Sequence, residues 1–387
     1  MDELLKKFPA ISTALDTGFS FFVEKIKEAV SELKEVDTIL TEISKTNDSL
    51  SKSNLAGLKD KAFETAGKYG KKPQDYLANV QEASAAGYDN AAEIAELSMA
   101  AQTAGGMTSE LASQMVQATD QAYQMNGSVS ELTRTLDGYY SIASQNAVSM
   151  SDFSDAISAV GSDAASFGVQ ADETAAAVGT ISAATKQSGT EAALAFRSIL
   201  LHIRQVADEE NGITPDGLVK YEQACNDLGI SLQETKDGVL SLRDPMEVLK
   251  ELSSVYSTLG ENDVRKKNLL DSIGGGADSS QLDALLSNWR TYETMLQQYA
   301  NGSGSMAEAA AATADSWEGS MARLSNTWTS LVGNIANSDG MTAAVNGLNG
   351  ILSAADTATE KIGSIGTISL AGSGIGISKF IKNFARP

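Results

Sequence analysis

The chain has 387 residues, with one cysteine, one histidine and a formal net charge of −21. Cys225 and His202 alone cannot supply the usual ligands of a zinc site, and a single cysteine cannot close an intrachain disulfide. The excess of 50 acidic over 29 basic residues argues against a protein whose main task is to hold nucleic-acid phosphates.

The first segment, residues 1–72, is neutral overall and carries the clearest periodicity in the chain. Apolar residues recur every seven positions in two sets that are offset by three, which is the a/d pattern of a coiled coil. The seam consists of Phe19, Phe22, Ile26, Ala29, Leu33, Val36, Leu40 and Ile43. It predicts a coiled-coil-like helical arm. The seam serves either parallel self-association or packing of an amphipathic helix against its own chain.

The next segment, residues 73–210, is acidic and rich in alanine and serine. Between residues 73 and 196 there are 15 acidic and 2 basic side chains, a net charge of −13. Turn and cap signals recur at intervals of roughly twenty residues, which predicts a stack of short antiparallel helices. Ser128-x-x-Glu131 and Ser188-x-x-Glu191 fit the capping box, in which each residue satisfies a backbone N–H near the other.

The third segment, residues 211–335, continues the helical pattern but contains one β signal near residues 230–242. Lys236-Asp237-Gly238 separates two short β-prone runs, and Asp-Gly between such runs predicts a hairpin. Asp244 and Pro245 then begin another helix, as N-cap and first helical residue. The whole chain is therefore predicted to be all-α, with one small β-hairpin.

The last segment, residues 336–387, is predicted to hold a C-terminal helix followed by an uncharged tail rich in Gly, Ser and Ile. Residues 362–378 contain no charged side chain and reach the lower length limit of a membrane span. Its large apolar residues are Ile362, Ile365, Ile368, Leu370, Ile375 and Ile377. This stretch is either a membrane-contacting segment or a flexible, β-prone linker. The N-terminus lacks a secretory signal, so synthesis in a reducing cytoplasm is expected.

Motifs that carry chemistry are missing from the sequence. It has no phosphate-binding loop, dinucleotide fingerprint, metalloprotease helix or nucleophile elbow. His202, in an apolar run, and Cys225, with no basic neighbour, fit packing positions in helices. The acidic stretch 208–210 lacks the spacing of a calcium loop. We therefore predict a protein that is not an enzyme and has no cofactor, metal or catalytic residue.

A set of short patterns nevertheless follows in a distinctive order. The first group lies between residues 137 and 200 and comprises Asp137-Gly138, Phe153, Phe167-Gly168, Asp172-Glu173, Ser188-Gly189-Thr-Glu191 and Phe196-Arg197. The second group comprises Asp237-Gly238, Asp244-Pro245, Ile273-Gly274-Gly275, Ser316-Trp317, Leu324 and Leu331–Ile335. The ordered set resembles the core region of phage tail tape measure proteins over roughly residues 55–365. Family members are usually longer, so this chain is expected to be an N-terminal fragment or a short relative.

The resemblance implies a structural protein of the tail-tube lumen, made in the cytoplasm of the bacterial host. It implies roles in tail assembly and tail-length determination, and assistance in DNA ejection. The implied partners are a few parallel copies of the chain, the tail tube protein, tail assembly chaperones and baseplate or tip proteins, without stable nucleic-acid binding. Host-membrane contact would use the C-terminal tail. Two other classes stay open: a bacterial coiled-coil adaptor or signalling rod, and a membrane-perturbing ejection protein.

Overall fold

The computed structural model describes residues 28–29, 31–45, 52–236, 238–273 and 277–337. Helices dominate these residues, and one two-stranded antiparallel sheet interrupts them. The prediction of an all-α fold with a small β-hairpin is confirmed. Phe19, Phe22, Ile26 and the whole of segment 362–378 lie outside the described residues.

The chain forms two compact units, and the first combines distant parts of the sequence. Of the described residues, it contains those up to Ser44, those of 52–74 and those of 314–337. The second unit consists mainly of Asp75–Thr313. The division into the successive segments 1–72, 73–210, 211–335 and 336–387 stays a prediction.

Three described helices make up the first unit: α1 (31–45), α2 (Lys52–Tyr69) and α16 (Trp317–Asn337). Helix α16 packs against α2. Its Asn326 side chain donates a hydrogen bond to the carbonyl of Lys71 (2.7 Å), and its Thr329 hydroxyl donates to the Glu32 carboxylate of α1. The last described helix thus ties together the two ends of the α1–α2 region.

Most of the predicted seam that is described is covered within a single chain. Ala29, Val36, Leu40 and Ile43 are buried, and Leu33 is half-buried. These residues pack within the chain, and self-association through the seam stays a prediction. Self-association through this seam would require the packing to be exchanged between copies.

The second unit is a stack of short helices with one hairpin insertion. Helix α7 packs against α5 and α9, and α8 packs against α13 and α14. The elements are α3 Pro73–Ala85, α4 Ala91–Gly105, α5 Ser109–Tyr123, α6 Val129–Gln145, α7 Met150–Ser166, α8 Ala171–Thr185, α9 Gly189–Ile203, α10 Pro215–Asp227, β1 Gln233–Lys236, β2 Val239–Leu242, α11 Pro245–Tyr256, α12 Val264–Ser272, α13 Ala277–Ser287, α14 Trp289–Ala300 and α15 Ser305–Ala314.

Small residues fill the middle of this stack. Helix α8 is buried almost throughout, with Ala175, Ala176 and Ala177 fully inaccessible to solvent. Because alanine adds little bulk, the neighbouring helices can approach α8 from several sides. Larger buried side chains, among them Phe153 and Phe196, fill the remaining space.

The local cap predictions have mixed outcomes. Ser188 and Glu191 form the full capping box at the start of α9, and Asp244 accepts hydrogen bonds from the N–H groups of Met246 (2.8 Å) and Glu247. The box predicted at Ser128 is wrong, because its side chain makes no cap bond. The Ser128 hydroxyl instead lies 3.3 Å from that of Ser130.

Candidate functional site

A buried carboxylate joins two distant parts of the second unit. Asp137, in the middle of α6, is only 3% exposed. Its Oδ2 accepts a hydrogen bond from the N–H of Gly304 (2.7 Å), and its Oδ1 accepts one from the N–H of Met306 (3.0 Å). These donors belong to the first turn of α15, where helix N–H groups have no partner within their own helix. The negative carboxylate also complements the positive end of the α15 dipole.

Further polar contacts bind the same helix to the chain before α15. The Ser305 hydroxyl donates to the carbonyl of Asp137 (3.0 Å), and the Ser141 hydroxyl donates to the carbonyl of Gln298 (2.7 Å). The Asn146 side chain donates to Oε1 of Gln298 (2.7 Å). We call this set of contacts between residues 137–146 and 298–306 the Asp137 junction.

Glycines make the close approach at the junction possible. A Cβ atom on Gly138 would collide with the ring of Tyr299, and one on Gly302 would lie 2.6 Å from the carbonyl oxygen of Asp137. On α8, a Cβ on Gly179 would lie 2.9 Å from the sulfur of Met295. Helix α14 therefore lies on surfaces of α6 and α8 that lack side chains where it passes.

Aromatic side chains surround the junction on its inner side. The ring centroid of Tyr139 lies 5.6 Å from that of Phe153 and 5.8 Å from that of Tyr299. The Tyr123 hydroxyl donates to Thr174 at 3.0 Å. Burial raises the pKa of Tyr299 to about 12 and the pKa of Tyr139 well above its usual value. These phenols are therefore neutral at physiological pH and contribute packing rather than charge.

A second carboxylate serves two helix starts at once. Asp152 closes a capping box with Ser149 at the start of α7, and its Oδ1 accepts a hydrogen bond from the N–H of Gly189 at the start of α9 (3.0 Å). A side chain on Gly189 would collide with the Asp152 backbone. Burial opposes ionisation of Asp152, but hydrogen bonds from Ser149 and Gly189 hold the pKa of its carboxyl below the usual range.

A partly exposed ion-pair network holds the loop after α9. Arg197 pairs with Asp163 of α7 and with Asp208 (2.8 Å), and Asp208 also accepts from the Asn211 side chain (2.9 Å). We call this network the Arg197 bridge. Asp208, part of the acidic stretch weighed for calcium, is thus engaged in the bridge. Among the residues that the structure describes, no group of three or more His, Cys, Asp or Glu side chains could hold a metal ion.

His202 of α9 and Cys225 of α10 are both buried. His202 is buried, its Nδ1 lies 2.8 Å from the carbonyl of Ser198, and its ring is 5.4 Å from that of Tyr221. Burial raises the pKa of the Cys225 thiol to about 12. A thiol that stays protonated is a poor nucleophile. The geometry gives both residues a packing role.

Carboxylates at helix ends, glycine contacts and neutral buried rings hold the second unit together as a mainly helical body with one hairpin. The chain matches the model of the phage-related minor tail protein family over residues 59–275, more than half of its length. It belongs to this family and is thus a structural component of the phage tail and of the virion. No solved structure matches the chain.

The family match and the Asp137 junction overlap only in part. Residues 137–146 lie within the matched region, but their partners at 298–306 lie beyond its end at residue 275. In the sequence, Asp137-Gly138 belongs to an ordered pattern, but no signal there identifies the partner of Asp137. The only available signal was Asn301-Gly-Ser-Gly304, which marks a break between helices.

The remaining sequence predictions about function concern membrane contact and the class of protein. Within the described part of the chain, no helix is long and apolar enough to cross a membrane. The apolar segment that begins at Ile362 is not covered by that finding and stays a prediction. The family assignment favours a tail protein over a bacterial signalling rod.

Proposed function

We propose that this chain is a tape measure protein, which lies in the lumen of the growing tail tube and takes part in setting tail length. The observation that carries the proposal is the family match over residues 59–275. The ordered patterns that resemble the tape measure core begin within this region. The partners then follow: the tail tube protein, assembly chaperones, baseplate or tip proteins and a few copies of the chain itself.

The compact second unit contributes little length in its folded form. It has about 240 residues, which as one continuous helix would extend ~360 Å. A compact domain of that size is ~45 Å across. If the unit keeps its fold in the tube, most of the measuring length lies elsewhere in the protein. The compact unit then acts as an assembly or terminal element.

The acidity of residues 73–196 supports a lumen position. With a net charge of −13, this stretch repels the phosphates of DNA that passes through the same tube. A protein that shares a channel with DNA benefits from such repulsion, because binding would obstruct passage. Assistance in ejection is part of this proposal and rests on the sign of the charge.

Electron microscopy of tails assembled with altered chains tests the proposal. Removal of the helix pair 91–123 should leave tail length unchanged or abolish tails, because it alters a compact unit. Insertion of one or two heptads near residue 36 should lengthen tails by ~10 Å per heptad if α1 runs along the tube. Tails that shorten by ~1.5 Å per residue deleted within 89–209 would refute the compact-element idea. Tails of constant length with every lengthened or shortened chain would refute the tape measure role itself.

A further inference from the structure

The hairpin β1–β2 carries exposed aliphatic side chains on both faces. Val239 is 65% and Leu240 is 66% exposed. In the observed register Lys236 lies opposite Val239 and Thr235 lies opposite Leu240. Successive residues of a strand point to opposite faces, so the two aliphatic side chains lie on opposite sides. A two-stranded hairpin of this kind is marginal in water, and additional strands would stabilise it.

The hydrogen-bond pattern determines which backbone groups of β1 are free to pair. The Arg243 N–H donates to the Leu232 carbonyl (2.9 Å), and hydrogen-bonded pairs alternate along an antiparallel ladder. Glu234 and Lys236 therefore bond across to β2, whereas the N–H and carbonyl of Thr235 point to the outer edge.

Gln233, the other residue with outward backbone groups, is already occupied. Its N–H donates to the Ser231 hydroxyl (3.1 Å), and that hydroxyl donates to the Gln233 carbonyl (2.8 Å). The open part of the β1 edge is thus centred on Thr235, which is itself exposed.

We propose that β1 pairs with β1 of a second copy of this chain, antiparallel and about a two-fold axis at Thr235. The two Thr235 residues then exchange both backbone hydrogen bonds. Glu234 of each copy lies directly opposite Lys236 of the other, so two identical ion pairs form. Opposite charges in directly opposed positions stabilise a sheet, and like charges destabilise it.

The same charges select this register over its neighbours. A slip of one residue in each copy towards the N-terminus places Glu234 opposite Glu234 and requires the occupied groups of Gln233. A slip in the other direction places Lys236 opposite Lys236. Only the register centred on Thr235 uses free backbone groups and alternates the charges, which is the complementarity that identifies a second copy as the partner.

The resulting four-stranded sheet is small, so pairing is weak on its own. Interfaces of stable complexes bury about 1,200 Å² or more, which two short hairpins do not provide. Any further contact between copies would raise their effective concentration to the millimolar range and favour pairing. In dilute solution the paired state is therefore transient, and covalent trapping is the readout that detects it.

Disulfide trapping in the full chain tests the proposed axis. Thr235→Cys places two thiols across the two-fold axis, where Cα atoms of a hydrogen-bonded pair are ~5.5 Å apart and within disulfide range. Val264→Cys, at a residue 66% exposed, is the matched control for random collision. The native Cys225 is buried in both variants. Thr235→Cys should give a covalent dimer at least ten times faster than Val264→Cys, and equal rates would overturn the proposal.

Charge reversal tests the register. In the Thr235→Cys background, Glu234→Lys or Lys236→Glu alone should slow cross-linking about tenfold, because each places like charges opposite one another. The double exchange should restore the rate. A mixture of the two single variants, one with a size tag, should give mainly the mixed dimer.

Insensitivity to these reversals would overturn the β1 register and indicate pairing through β2, whose residues 239–242 carry no charge. A mixture that cross-links at random would also overturn it. The assay contains no tails or other tail proteins. Its outcome is therefore independent of the tape measure proposal.

Discussion

The Asp137 junction and the Arg197 bridge both use carboxylates, but they differ in burial and in the type of hydrogen-bond donor. Both connect helices through carboxylates, but Asp137 is 3% exposed and its partners are backbone N–H groups. In the Arg197 bridge, the side chains of Asp163 and Arg197 are 41% and 26% exposed. Water and salt can replace the partners in the bridge, whereas nothing replaces them in the junction.

The difference in burial predicts which of the two sites contributes more to the stability of the fold. An exposed ion pair gains little, because ordering two long side chains and screening by salt offset the attraction. A buried carboxylate that satisfies the start of a helix is costly to remove, because the donors left behind have no other acceptor. We therefore expect the junction to dominate the stability of the second unit and the bridge to order only the loop at Asp208.

Loss of the Asp137 carboxylate should have the largest effect. Asp137→Ala leaves the buried N–H of Met306 and the partly exposed N–H of Gly304 without their acceptor, at about 1–3 kcal/mol for the buried donor and less for the other. We expect the free energy of unfolding of the second unit to fall by about 3 kcal/mol in urea denaturation followed by circular dichroism. Glu131→Ala, at an exposed position of the same helix, is the control and should change it by less than about 1 kcal/mol. A similar loss of unfolding free energy in both variants would show that the buried carboxylate is no more important than an exposed one.

Filling the glycine contact beside Asp137 should have an intermediate effect. A methyl group at Gly138 meets the ring of Tyr299, and forced displacement in a packed core costs about 1–3 kcal/mol. Improved helix propensity returns part of this, so Gly138→Ala should destabilise by about 1–2 kcal/mol in the same assay.

A glycine without neighbours in the first unit provides a comparison, read as the free energy of unfolding of that unit. A methyl group added at Gly57, in α2, would have no neighbouring atom within 4 Å, and Gly57→Ala should stabilise by about 0.5–1 kcal/mol. Combining Gly138→Ala with Tyr299→Ala should cost less than the sum of the two changes. Strict additivity would show that the ring is not the obstacle.

Removal of the Arg197 bridge should have the smallest effect. Arg197→Gln should cost no more than ~1 kcal/mol, and the difference should disappear in about 1 M salt, where the screening length is ~3 Å. Asn211 and Arg197 hold the pKa of Asp208 below its usual range. The bridge therefore contributes above the unfolded-state pKa and is lost as the pH falls through the folded-state pKa. If Arg197→Gln lowered the free energy of unfolding as much as Asp137→Ala does, and independently of salt, the two sites would contribute equally to stability.

Local signals in the sequence were sufficient for the elements that depend on neighbouring residues. Asp244 and Pro245 predicted a helix start because cap and first-turn groups lie within three residues of each other. The Asp-Gly pair that ends at Gly238 predicted the hairpin in the same way, and Gly238 has the positive φ (+78°) that such a turn requires. At Ser128 the same reasoning was wrong, since the hydroxyl has an equally near alternative in Ser130.

The junction could not be predicted, because its two halves are distant in sequence. In isolation, Gly138 is only a residue that weakens a helix. Its purpose depends on Tyr299, and no periodicity connects the two positions. Likewise, a carboxylate at Asp137 resembles any acidic residue of a polar helix face until the start of α15 is placed against it.

The separation of these halves also has a consequence for synthesis. Asp137 and Gly304 are 167 residues apart, so a ribosome that adds about 5–20 residues per second needs roughly 10–30 s to pass from one to the other. During that interval α6, and later α8 once it has been synthesised, lack α14, and their glycine surfaces face water or another protein. A nascent chain thus presents a binding surface that the finished chain conceals, and a helper protein could recognise unfinished copies by that surface alone.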